Sequence, residues 1–333
     1  MNVSTLEWGV TIAVTIAILL FDIVVIARKP HEPTTKECAI YLSFYIGLAV
    51  AFGAWVWSFH GGTYGIEFYA GWLTEYSLSI DNLFIFIIIM SSFAVPRKYQ
   101  QEALLVGIIL ALIFRGIFIA LGAVAINEFS WVFYIFGAFL LYTALKLAKN
   151  DDEDEDVENA VVRFARKRFN MSDTWDGLKL VVRENGRRAI TPMALVIIAL
   201  GTTDILFALD SIPAIFGLTQ EPYIVFTANV FALMGLRQLY FLLGDLLQRL
   251  VFLSYGLAFL LFYIGIKLIL HALHENELPF INGGEPVHHV GPVPVPEIPT
   301  LLSLGVIIAT LTITAVASLW YSKKYPDRVG GGH

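Results

Sequence analysis

The sequence predicts an all-α integral membrane protein of about nine transmembrane helices, and three observations predict it. Of its 333 residues, 57% are apolar and only 15% are charged, with a mean hydropathy of +0.70. A soluble domain averages roughly 25% charged residues. The apolar residues gather into runs of about 20, each long enough to cross a ~30 Å hydrocarbon core as a helix. Finally, residues 66–148 and 191–273 repeat one another's polar pattern at intramembrane positions.

In chain order the runs lie at about 5–27, 38–59, 66–94, 102–124, 130–148, 191–218, 222–247, 251–273 and 299–321. No Lys or Arg precedes the first run and its apolar length is that of a full span, so it reads as a span and not as a cleaved leader. Basic residues follow the odd-numbered spans: Arg28, Lys29 and Lys36; Arg97 and Lys98; Lys146 and Lys149; Arg249; Lys323, Lys324 and Arg328. The loops after spans two, four and six carry no Lys or Arg. Positive residues stay on the cytoplasmic side, which puts the N-terminus outside and the C-terminus inside. Trp8, Trp72, Trp131 and Trp320 lie near span ends, where interfacial aromatics are expected. Lys146 and Lys267, at span ends, read as snorkelling side chains.

Between the two similar stretches lies a cytoplasmic loop, about 149–190. It opens with the acidic run NDDEDEDVEN, continues as a basic helical pattern, and closes with Asn185-Gly186 between short β-like runs, a hairpin signal. The outer loop, about 274–298, holds four of the seven histidines and a Pro-rich half that should be extended. Cys38 is the sole cysteine, which excludes an intramolecular disulfide and a thiolate cluster. The net charge of −6 says nothing of partners in a chain whose charges are read by membrane side, and nothing points to nucleic acid.

The repeat carries the chemistry. Residues 74–82 read TEYSLSIDN and residues 203–211 read TDILFALDS. Thr74, Glu75, Asp81 and Asn82 thus match Thr203, Asp204, Asp210 and Ser211 at a constant offset of 129. RGIFIALG from Arg115 matches RQLYFLLG from Arg237, and both halves end at a lysine after a glycine-containing apolar run. Spans three to five and six to eight are therefore two three-helix units, and the orientation above makes them inverted. Inverted repeats with polar groups at the midplane mark secondary transporters.

Four intramembrane acids must be paired, protonated or bound to a cation, because each unpaired charge costs ~2.5 kcal/mol or more. Arg115 and Arg237 are the evident counter-ions, and they leave two negative charges for one dication or two protons. Residues six apart on a straight helix differ by about 240° and 9 Å, so Glu75 and Asp81 cannot share an ion unless the helix breaks. Pro213 predicts such a break in span six, freeing the carbonyl of Leu209 beside Asp210. Thr74 and Asp81, and Thr203 and Asp210, are seven apart and share faces. Asn229 in span seven adds a further oxygen. An all-oxygen donor set suits Mg²⁺, Ca²⁺ or Mn²⁺. An intramembrane aspartyl protease would need Gly-x-Gly-Asp; GTTD and LLGD do not match it, so no enzyme activity is expected.

The strings SIDNLFIF, TDILFALDSIPAIF and PYIVFTANVFALMGLRQLYFLL resemble those of the TerC/Alx family of bacterial membrane proteins. The resemblance covers nearly the whole chain and is strongest over 70–95 and 200–270. It implies a fold related to LysE-type transporters, a place in the bacterial cytoplasmic membrane, and export of Mn²⁺ as a transported substrate, with no tightly bound cofactor. It carries the family's ligand role onto Glu75, Asp81, Asn82, Asp204 and Asp210. Relatives often have a basic residue after the Glu, where this chain has Tyr76. The expected mechanism is alternating access, with protons as candidate counter-substrate. The competing expectation is a membrane-embedded modulator or assembly factor that transports nothing itself. The oligomeric state is left open.

Overall fold

A computed structural model of the chain describes residues 1–28, 34–129, 131–149, 172, 175, 177–184, 187–247, 251–274, 289–290, 293–296 and 298–325. The elements in order are α1 (Thr5–Arg28), α2 (Thr35–His60), α3 (Gly62–Ser92), α4 (Arg97–Glu128), α5 (Val132–Lys149), strands β1 (Val181–Glu184) and β2 (Arg187–Ile190), α6 (Pro192–Phe216), α7 (Pro222–Met234), α8 (Leu236–Leu247), α9 (Leu253–His274), strands β3 (His289–Val290) and β4 (Val293–Pro294), and α10 (Thr300–Lys324). The protein is an all-α multi-pass membrane protein. Among the described residues, eight helices are long and apolar enough to cross a membrane, with α7 and α8 together forming one of them, and Thr5–Phe21 of α1 is a shorter apolar helix.

Local chemistry sets several boundaries. Thr34 caps α2 by accepting a hydrogen bond from the Glu37 N–H at 3.2 Å. Thr191 caps α6 through the Ala194 N–H at 3.3 Å, with Pro192 in the first turn where its missing N–H is not needed. The Thr191 hydroxyl also donates to the Lys179 carbonyl at 2.6 Å, tying the base of the β-hairpin to α6. β1 and β2 pair antiparallel with Glu184 opposite Arg187, as the hairpin signal predicts; Asn185 and Gly186 lie outside the described residues. The acidic run, the basic helical pattern after it and residues 275–288 of the outer loop lie outside the described residues.

Helix contacts repeat when the two three-helix units are exchanged. α3 packs on α7 as α6 packs on α4, α3 meets α6, and α5 lies along α9. The last contact is close: a Cβ at Gly137 would sit 2.9 Å from the Gly265 carbonyl oxygen and 2.7 Å from Ile269. Two glycines let the backbones approach where any side chain would hold them apart. α1 and α10 lie at the periphery and leave large apolar side chains such as Leu20, Ile313 and Val316 exposed, which is what lipid-facing helices require.

Two expectations are corrected here. α6 is not interrupted at Pro213; it runs to Phe216, and the Gly217 N–H bonds the Pro213 carbonyl at 3.0 Å. Only one turn remains after the proline, so one lost hydrogen bond near the end costs less than breaking the helix. The interruption lies instead in span seven, where Gly235 separates α7 from α8. Trp72 is not interfacial: it is buried with Ala49, Phe68 and Ile224 in an apolar cluster between α2, α3 and α7. Trp131 and Trp320 remain exposed, the latter with the Lys324 ammonium 4.7 Å from its ring centre.

Candidate cation site

A polar layer crosses the middle of the bundle between two apolar clusters. Toward the end predicted to face outward, Ile119 of α4, Ala208 and Ile212 of α6 and Val225 of α7 belong to one cluster. Toward the end predicted to be cytoplasmic, Leu83 of α3, Ala111 of α4, Leu200 of α6 and Leu233 of α7 belong to the other. Arg115, Asp204 and Asn229 fall between those positions on their respective helices, and Glu75 joins them from α3. On α4, α6 and α7 the apolar residues lie four positions to either side of the polar one, on the same helix face, which leaves this one level for polar groups.

Arg115 is the centre of the layer. It is 1% exposed and forms ion pairs with Glu75, which is 0% exposed, and with Asp204, which is 2% exposed. Its Nη2 donates to Asp204 Oδ1 at 3.1 Å and its Nε donates to the same oxygen at 3.3 Å. The Asn82 amide, oriented so that both its groups are satisfied, accepts from Arg115 Nη2 at 3.3 Å and donates to the Leu78 carbonyl at 3.0 Å. Two carboxylates against one guanidinium leave one negative charge in a buried site. Thr74, Ser211 and Asn229 are buried too. The Thr74 and Ser211 hydroxyls, both polar atoms of the Asn229 amide and Glu75 Oε2 take no hydrogen bond from described residues. Buried polar groups are normally satisfied, so these orphans call for a bound water or ion. The donor set is oxygen throughout and would fit a hard dication.

The remaining expected residues are placed elsewhere. Asp210, six residues along α6 from Asp204, turns to α5 and accepts from the Thr143 hydroxyl at 3.1 Å. The two aspartates thus occupy two levels, as the 9 Å rise demands. Leu209 is 42% exposed, and its side chain faces outward from the bundle. Thr203 is buried beside Asp204 in sequence. Arg237 is buried at the start of α8, which packs on α2 and α3, and Cys38 of α2 is within its electrostatic reach. The side chain of Asp81 lies outside the described residues. Among the described residues no group of three or more His, Cys, Asp or Glu is arranged to hold a metal ion.

A second polar region was not read from the sequence. A cavity of about 570 Å³ at the end predicted to face outward is lined by Glu67 of α3, Thr219 and Glu221 before α7, and Lys267 and His271 of α9. The Thr219 hydroxyl donates to Glu67 at 2.6 Å and Lys267 is the nearby cation, so Lys267 does not simply snorkel. Phe216 lines this cavity and also belongs to the outer apolar cluster, so one ring is both its floor and part of the seal over the layer. Glu67 and Lys267 inside apolar spans were the available signal.

The integral membrane protein TerC family matches residues 60–325. An uncharacterized membrane protein of Mycobacterium tuberculosis is 47% identical over 97% of this chain and 81% of its own length. An uncharacterized membrane protein of Myxococcus xanthus is 37% identical over 96% and 93%. A protein of Escherichia coli K12 named "Putative membrane-bound redox modulator Alx" is 35% identical over 98% of both chains. No solved structure matches.

Proposed function

The chain belongs to the TerC family of integral membrane proteins, and from that premise we propose that it exports Mn²⁺ across the bacterial cytoplasmic membrane by alternating access. One observation carries the reading: carboxylates from both three-helix units, Glu75 and Asp204, face one another in a buried layer that apolar clusters close at each end. Such an arrangement is an occluded intermediate. Opening one cluster would expose the layer to the cytoplasm, and opening the other would release the ion toward the Glu67 cavity.

Moving a dication outward against an inside-negative potential costs about 4.6 kcal/mol per 100 mV. Protons returning on the emptied carboxylates would supply it. Asp210 and Asp81, one level to either side of the central pair on their helices, would be way stations of the path. No catalysis is proposed; the residues bind and exchange ions.

The printed name of the Escherichia coli relative favours a second reading, a membrane-bound modulator without transport. A thiol mechanism would need a partner, because Cys38 is the sole cysteine and is buried. Expression in a manganese-sensitive host tests the first reading. The parent should lower cell manganese, and Glu75→Gln and Asp204→Asn should not. Variants that lower it as the parent does would remove the site.

A further inference from the structure

We propose that Arg115 is a tethered rival of the transported dication, so that guanidinium and ion occupy the same carboxylates in turn. This rests on reading the layer as the transport site. Three residues singled out as ion ligands, Glu75, Asn82 and Asp204, all meet this one guanidinium, through Nη1, Nη2 and Nε. A dication held between Glu75 and Asp204 would lie beside a like charge, and that repulsion is strong in a buried site. Both cannot stay, so loading requires the bridge to open.

The layer also offers a second berth. A Cβ at Gly71 of α3 would meet Ala228 of α7 and Ile215 of α6, each at 3.4 Å, so these three helices converge there. Glu75 is one turn from Gly71, Ser211 one turn from Ile215, and Asn229 follows Ala228. Ser211, Thr74 and Asn229, whose buried oxygens are orphaned, thus lie within about a turn of this junction along their helices. They are acceptors for whichever of the two cations has left the carboxylates.

The functional consequence concerns the empty carrier. With Arg115 in place, the emptied layer keeps one positive charge between its two acids, so a single returning proton neutralises it and lets it reverse its facing without the dication. Without Arg115, two buried carboxylates would need a dication or two protons before the layer could move. Loss of Arg115 should therefore tighten ion binding and block the empty return, while leaving the loaded steps.

Purified full-length parent, Arg115→Gln and Arg115→Lys, each checked as monodisperse, are titrated with Mn²⁺, Ca²⁺ and Mg²⁺ and assayed in liposomes. The expected Kd for Mn²⁺ in Arg115→Gln is about tenfold lower or more. Net Mn²⁺ flux should be lost, while Mn²⁺/Mn²⁺ exchange persists. Arg115→Lys, which keeps the charge but loses the fork, should fall between. Unchanged or weaker binding in Arg115→Gln, or parallel loss of exchange and net flux, overturns the rivalry. Tightening for Ca²⁺ or Mg²⁺ without Mn²⁺ binding keeps the rivalry and removes the manganese reading. Dication binding by none of the three proteins removes both. Should Arg115→Gln fail to fold, an unchanged Kd in Arg115→Lys overturns the proposal.

Discussion

The two three-helix units differ most at their middle helices. α4 runs unbroken for 32 residues through Arg115, whereas its counterpart is split at Gly235 into α7 and α8, of 13 and 12 residues. At the constant 122-residue offset that relates Arg115 to Arg237, Gly235 corresponds to Ile113. Ile113 is 52% exposed and faces outward, but a Cβ at Gly235 would lie 3.0 Å from Leu42 of α2. α2 stands outside the repeat and packs on α7 and α8. An extra helix pressed against one unit leaves little room for a side chain at Gly235, and that is where the unit bends. The second difference follows: Arg115 reaches acids of both units, while Arg237 begins the short helix beside α2 and Cys38. Repeated sequence therefore supplies matched groups, and an unmatched neighbour decides which of them reaches the centre.

Four substitutions probe that asymmetry. The largest expected effect on stability is Arg115→Gln, which leaves Glu75 and Asp204 buried without their counter-ion and should cost about 3–5 kcal/mol. Asp204→Asn is the informative contrast, because it leaves Glu75 and Arg115 as a neutral pair. Unfolding in detergent should place it within about 1 kcal/mol of the parent although its transport is lost. A loss as large as that of Arg115→Gln would mean that the layer carries no excess negative charge. Gly235→Leu should cost about 1–3 kcal/mol by overpacking against Leu42. The matched Ile113→Leu, facing outward, should stay within about 0.5 kcal/mol. Equal midpoints for these two would break the explanation of the bend.

Much of the architecture was legible because membrane chemistry writes it plainly. Long apolar runs became helices, and Asn185-Gly186 marked the hairpin. Glu75, Asp204 and Arg115 stood out as charges where lipid should be. The six-residue spacing left two outcomes, separate levels or a broken helix; Pro213 favoured the break in span six, and the Thr143 bond to Asp210 in an unbroken α6 shows separate levels instead. What was not legible depends on contacts between distant segments. Pro213 looked like a break but lies a turn from the end of α6, whereas the bend at Gly235 comes from α2. Trp72 has the sequence position of an interfacial residue and the packing of a core one. The Glu67, Thr219 and Lys267 grouping draws on three separate segments, each of which reads alone as a span end.

The central claim is that the buried layer passes a hard dication across the membrane. Its most direct test is Mn²⁺ flux into liposomes bearing purified protein, followed by quenching of an enclosed manganese-sensitive dye under an imposed proton gradient. The account predicts saturable quenching with the parent and with Ile113→Leu, and none with Glu75→Gln or Asp204→Asn. Monodisperse parent protein that moves no Mn²⁺ with or without the gradient would contradict it.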